Sequence, residues 1–202
     1  MVPAQVKELL LQTLAHERGG IAVYRMAIEC ARDEDLRREW REYLKETTRH
    51  VEVLEQTCRA LTLDCTETTP GCEIVRHLGQ ALLEAMRMAK KAGEPMSAEL
   101  VACDCVVLAE TRDHANWQLI GECARNLGKI DKATAAALAQ AYDEIEDEED
   151  EHLYHSRGWG RELHLQALGL HAVLPPPEEK RDVRNAIAAA RAEKSARRQH
   201  RH

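Results

Sequence analysis

The sequence predicts an all-α protein: a four-helix bundle with a long helical crossover between its second and third helices and a C-terminal helical extension. Three observations carry this. Across 202 residues there is no Phe, while Ala, Leu, Glu and Arg dominate, a composition that favours helix over strand. Gly and Pro gather at a few breaks rather than spreading through the chain. Between those breaks apolar residues recur at alternating steps of three and four, the helical period. Residues 1–174 form the bundle, with the crossover over 62–96, and a Pro-initiated basic tail occupies 175–202.

Residues 4 to 31 read as the first helix, with Val6, Leu10, Thr13, Glu17, Gly20 (or Ile21), Tyr24 and Ile28 on one stripe. Gly19 and Gly20 in mid-helix cost about 1 kcal/mol each against Ala, which points to close helix approach or a local bulge. Asp33 or Asp35 caps the second helix, which runs to Leu61 through Leu36, Trp40, Tyr43, Thr47, His50 and Leu54. Glu46 and His50 are separated by only about 40° around that helix, so both can look inward.

The connection from Thr62 to Met96 holds turn chemistry at Thr69-Pro70-Gly71, an amphipathic helix over 73–91, and a second break at Gly93-Glu94-Pro95. Its helix spans about 28 Å, enough to return the chain along the bundle, so the second and third bundle helices run parallel. Ser97 caps the third helix, whose inward stripe is Cys103, Val106, Glu110, Asp113, Trp117, Ile120, Ala124 and Leu127. Gly128 ends it. Asp131 or Thr134 begins the fourth, which carries Leu138, Tyr142, Ile145, Glu149, His152, Ser156 and Trp159 inward and runs to about Gly158. Arg161 to Leu174 continues as helix or docks on the bundle, and Pro175-Pro176-Pro177 stops it.

Charge narrows the function classes. Residues 178–202 carry eight Lys or Arg against four Asp or Glu, so of the net −7 the preceding 177 residues hold −11. An acidic body argues against a nucleic-acid surface, leaving the tail as the one basic segment for a partner. The N-terminus lacks a secretory pattern and no stretch of about 18 apolar residues occurs, so a soluble, cytoplasmic protein is expected, with no membrane partner. Seven Cys without paired spacing fit reduced thiols, and no Cys-x-x-Cys suggests a zinc ribbon. Cys65 and Cys72, in or near the crossover, are the candidates for reactivity.

Inside the acidic body, carboxylates interrupt apolar stripes. Glu149 and His152 form a Glu-x-x-His pair on an inward face, where an unpaired carboxylate costs several kcal/mol and calls for positive charge. Glu110 lies about 17 residues before the end of its helix and Glu149 about 17 after the start of the next, so a hairpin sets them level. Glu17 and Glu46 meet at a similar height from the other two helices. Trp117 and Tyr142 stand a heptad away on one side, with Tyr24 and the Trp40/Tyr43 pair on the other, layers that exclude water. A Glu from each of two helices with a Glu/His pair from each of the others is the ligand plan of di-iron and di-manganese carboxylate bundles. Arg18, Arg49 and Arg112 offer the competing arrangement, a salt-bridged polar layer.

The runs Leu14-Ala15-His16-Glu17, Leu44-Lys45-Glu46-Thr47-Thr48-Arg49-His50-Val51-Glu52-Val53-Leu54-Glu55 and Gly71-Cys72 resemble the ferritin-like superfamily, most closely the stress-induced bacterial ferritin-like family, over residues 4–158. The resemblance implies a dimeric four-helix bundle binding two Fe or Mn ions, with ligands at Glu17, Glu46, Glu110 and Glu149 and with His152 completing the second pair. His50 joins them on spacing. Ferritins and rubrerythrins place the Glu and His of the second helix three apart; here they are four apart, so either Glu46 or His50 misses the metal. Asp113 and His114 are alternatives in the third helix, Glu148 and His155 in the fourth, and Tyr24 and Tyr142 shield the site.

The resembled family has no settled activity; the oxygen and imidazole ligand set leads us to expect ferroxidase or peroxidase/catalase-like chemistry on peroxide or dioxygen, with Fe(II) as one candidate electron donor, in oxidative-stress protection. The competing expectation is a non-enzymatic stress-response dimer with a degenerate metal site and a partner-binding tail; a closed iron-storage shell is a third. No sequence feature marks a pocket for an organic substrate.

Overall fold

The computed structural model describes residues 2–129 and 131–176, with Asn185, Ala188, Ala189 and Ala192 beyond them. The basic tail expected to engage a partner lies otherwise outside the described residues. Among the described residues five helices account for the fold: α1 (Ala4–Cys30), α2 (Glu34–Ala60), α3 (Pro70–Ala92), α4 (Pro95–Leu127) and α5 (Lys132–Ala167). The protein is all-α. Among the described residues no helix is long and apolar enough to cross a membrane.

Four helices close a ring in which α1 packs on α2 and α4, and α5 packs on α2 and α4, while the backbones on either diagonal stay apart and meet only through side chains. Directions follow from cross-helix pairs. Trp159 reaches Glu39 while Arg49 reaches Glu144, so α2 and α5 are antiparallel. Trp117 reaches Glu17 and Tyr24 reaches Glu110, which makes α1 and α4 antiparallel as well. The crossover α3 lies outside the ring on α1 and α4, held at one end by Glu8 against Gly71 and at the other by Lys90 against Glu29. It therefore runs alongside α1, which lets α2 and α4 run parallel across the diagonal.

Local chemistry sets the ends. Asp33 caps α2 by accepting from the amides of Asp35 and Leu36. Thr69 caps α3 with Pro70 in its first turn, so this helix starts three residues earlier than the expected 73. The start of α4 also differs from expectation: Glu94, not Ser97, is the N-cap, because Pro95 presets the helical φ of the first turn. Of the two expectations for Arg161 to Leu174, the continued helix is the one found as far as Ala167, where α5 ends after passing through Gly158 and Gly160. Those glycines are buried, and Trp159 and Leu163 on the same turns enter the core, which outweighs the glycine penalty. Gly169, at φ +72°, ends the helix instead.

The core is divided. One apolar cluster gathers Tyr24, Trp40, Tyr43, Met86, Val106 and Trp159; the other gathers Leu10, Leu14, Leu54, Trp117, Ile120 and Ile145. Between them every helix of the ring contributes charged or polar side chains that are as buried as the leucines.

Candidate metal centre

Each of the four ring helices places its inward acid or histidine by the same periodicity that places its apolar residues. Glu17 sits one heptad from Leu10 and from Tyr24 on α1, and His50 lies between Tyr43 and Thr57 on α2. Glu110 and Asp113 fall between Val106 and Trp117 on α4, and Glu149 and His152 between Ile145 and Trp159 on α5. All of these are buried. Two groups of three side chains have ligand atoms mutually within 4.8 Å: His50 with Glu149 and His152, and Glu17 with Asp113 and Glu149. Glu149 belongs to both.

The histidines face the cluster with Nδ1. His50 Nδ1 lies 3.0 Å from Glu149 Oε1 and 3.3 Å from Glu17 Oε1, and His152 Nδ1 lies 3.6 Å from Glu110 Oε2. Their Nε2 atoms turn outward to half-exposed acids, His50 to Glu148 at 2.8 Å and His152 to Glu46 at 2.9 Å. Metal-binding imidazoles commonly hold a carboxylate on the nitrogen away from the metal, which fixes the ring. Two donors orient the inner acids. Trp117 Nε1 donates to Glu17 Oε1 and Tyr24 Oη to Glu110 Oε1, each at 2.8 Å.

Several of the remaining oxygens are unpartnered. Glu17 Oε2, Asp113 Oδ1 and Glu149 Oε2 have no partner among the described residues, and Glu149 Oε1 and Glu110 Oε2 have only the ion pairs to His50 and His152. Glu99, a buried acid elsewhere in this protein, is satisfied: its Oε1 accepts the amides of Arg32 and Asp33 at 2.6 and 2.8 Å. Unpartnered buried carboxylate oxygens cost more than ordinary core, and the convergence of Glu17, Asp113 and Glu149 within 4.8 Å is what a cation site needs.

Charge counting gives the same result. Four buried carboxylates, Glu17, Glu110, Asp113 and Glu149, face two imidazoles, and among the described residues no Lys or Arg enters. Arg18 turns out to Glu55, Arg49 to Glu52 and Glu144, and Arg112 is exposed, so the salt-bridged layer has no arginine. Burial, with Glu17, Glu149 and Glu110 close by, holds the Asp113 carboxyl well above the usual range. Burial likewise pushes Glu149 up to about 7, with Glu17 and Glu110 adding to it and His50 opposing. Against the same burial, Glu110 and Glu46 hold His152 up at about 10, and Glu17, Glu148 and Glu149 hold His50 well above its ordinary value. In the metal-free chain protons take up part of the excess negative charge.

Of the residues singled out in sequence, Glu17, His50, Glu110, Asp113, Glu149 and His152 come together. Glu46 stands apart, its side chain 37% exposed and on the outer edge of His152, and Glu148 occupies the equivalent place on His50. The shift from three to four residues between Glu46 and His50 is the physical reason, since it carries Glu46 toward the surface. His155 belongs to a separate layer, 2.5 Å from Tyr43 Oη and 3.5 Å from Glu39. His114 is turned to Asp150, 3.4 Å away. Tyr142 donates to Glu146 at 2.5 Å and lines a small cleft of about 30 Å³ with His114, Trp117 and Asp150 that reaches Glu149. Cys72 is buried and Cys65 half-buried.

Asp150 and Glu39 were not anticipated. Asp150 is hidden within the acidic run 143–151, and Glu39 is one position off the α2 stripe, so only tertiary packing identifies them. Compared with protein-family models, curated proteins and solved structures, the chain matches none.

Proposed function

We propose that this chain is a ferritin-like di-metal carboxylate protein that binds two iron or manganese ions and acts on peroxide or dioxygen. The observation that carries the reading is Glu149, a fully buried carboxylate shared by two groups of three ligand atoms, with one oxygen held by His50 and the other unpartnered. A carboxylate so placed suits bridging, and the oxygen and imidazole donors around it fit iron or manganese. Two such ions, when bound, supply electrons in pairs to peroxide or dioxygen.

The residues of the chain do the rest. His50 and Asp113 complete the two ends, with Glu17, Glu110 and His152 around them. Trp117 and Tyr24 hold Glu17 and Glu110 in orientation, while Glu148 and Glu46 fix the imidazoles from outside. The apolar clusters above and below exclude bulk water, and the cleft beside Tyr142 has room for about one water-sized molecule.

The test is the rate at which hydrogen peroxide disappears with Fe(II)- or Mn(II)-loaded protein, desalted to remove free ion. Loaded wild type is expected to exceed the same total metal in buffer by at least about tenfold, and Glu149→Ala to fall to the buffer rate. A wild type no faster than buffer would remove the enzymatic reading and leave the non-catalytic alternative.

A further inference from the structure

Where α3 crosses α1 and α4, on the outer side of the ring, there is a pocket of about 500 Å³ separate from the acidic centre. Its size is that of a small-molecule site. The body is apolar, made by Ala and Val of α1, Val75 and Leu83 of α3 and Ala109 of α4. Glycine makes the space. A Cβ at Gly19 or Gly79 would meet nothing within 4 Å, whereas one at the adjacent Gly20 would press Thr47 at 3.3 Å. Gly20 thus permits the close helix approach, and Gly19 opens onto the pocket. Glycine inside a helix lowers stability relative to alanine, so two of them facing empty volume are a cost that packing does not recover.

The polar part has one sign. Arg18, Arg76 and Arg112 are exposed residues of the lining, His16 is in the inner wall, and among the described residues no Asp or Glu lines the pocket. Arg112 makes no hydrogen bond or ion pair among the described residues, and Arg76 bonds only to Thr68. Leu78 and Leu108, at 55% and 61% exposure, extend the apolar lining to the mouth. In a chain whose body is strongly acidic, a concave apolar surface rimmed by Arg76 and Arg112, with Arg18 beside them paired to Glu55, favours a single kind of occupant.

We propose that this pocket binds a small amphipathic anion, a hydrocarbon-bodied carboxylate of medium length, with its chain against Gly19 and Gly79 and its head group at Arg112 and Arg76. The site stands whether or not the acidic centre holds metal. His16 bonds to Ala109 O at 3.0 Å and lies 4.0 Å from Asp113, so it forms the wall between the two sites.

The probe is sodium decanoate, below its micelle concentration, titrated calorimetrically into the full chain. One decanoate per chain is expected. Because there is open space at position 79, Gly79→Leu fills the pocket without disturbing the fold, and is expected to lose at least about tenfold in affinity with helicity and metal content unchanged. Arg112→Gln should weaken decanoate by about fivefold or more while leaving 1-decanol unaffected. Absence of decanoate binding to wild type would overturn the proposal, as would equal binding by Gly79→Leu or equal affinity for decanol and decanoate. A sedimenting mass that falls in Gly79→Leu, with no decanoate bound by wild type, would also overturn it and assign the pocket to a second copy of the chain.

Discussion

Substituting Glu149 by glutamine removes a carboxylate that is fully buried, paired only with His50 and surrounded by Glu17, Glu110 and Asp113. Burial has moved its pKa from 4.5 to about 7. At about 1.36 kcal/mol per pH unit, the ionised form above pH 7 is about 3 kcal/mol less favourable in the folded chain than in the unfolded one. Glutamine keeps the volume and drops the charge. At about pH 8 in chelator, Glu149→Gln is therefore expected to stabilise the protein by up to about 3 kcal/mol, or about 6–12 °C in Tm for a chain of this length. With Mn(II) or Fe(II) the order reverses. Wild type gains about 4 kcal/mol when free metal reaches about a thousand times its Kd, and the variant, lacking the shared ligand, gains much less. Scanning calorimetry of both proteins, with chelator and with metal, reads all four values. A lower Tm for the variant in chelator would refute the reasoning, because Glu149 would then be stabilised by His50 rather than strained by its acidic neighbours.

Further expectations follow from neighbouring geometry. The metal-free protein should lose stability as pH rises. Glu149 has a raised folded pKa, so the folded chain keeps a proton that the unfolded chain releases between 4.5 and about 7, and stability falls across that window. His152 adds to this in the same direction: its contribution is complete below 6.5 and is lost as pH rises through about 10. Urea midpoints in chelator at about pH 5.5 and about pH 8.5 check the sign, and a higher midpoint at alkaline pH would contradict it. Trp117→Phe should cost more than Trp40→Phe by about 1.5–3 kcal/mol, the worth of a hydrogen bond to a charged acceptor. Trp117 Nε1 serves Glu17 whereas Trp40 Nε1 has no partner among the described residues, so the second variant measures the shape change alone. Equal urea stabilities would show that Trp117 does not hold Glu17.

Much of this was legible in the sequence because one periodicity serves both packing and placement. The stripes that put Leu10, Val106 and Ile145 inside also put Glu17, Glu110 and Glu149 inside, and counting from helix ends set them level. Asp113 was only an alternative to His114, since both lie near the inward face of α4. Their choice depends on α5, where Asp150 draws His114 aside. Glu46 looked like a ligand because 40° of helix is too fine a distinction without neighbours; against α5 it falls outside His152. The apolar pocket was not legible at all. It exists because α3 spans α1 at a distance that leaves Gly19 and Gly79 facing open volume, a relation between helices that no local pattern encodes.

Elemental mass spectrometry gives the most direct test of the central claim: metal per chain after loading with Fe(II) or Mn(II) and desalting, for wild type and Glu149→Ala. Two acid and histidine groups joined by one carboxylate predict about two ions per wild-type chain and a clear loss in the variant. Close to zero in both would contradict the account, and the inward acids would then be a layer neutralised by protons and histidine alone.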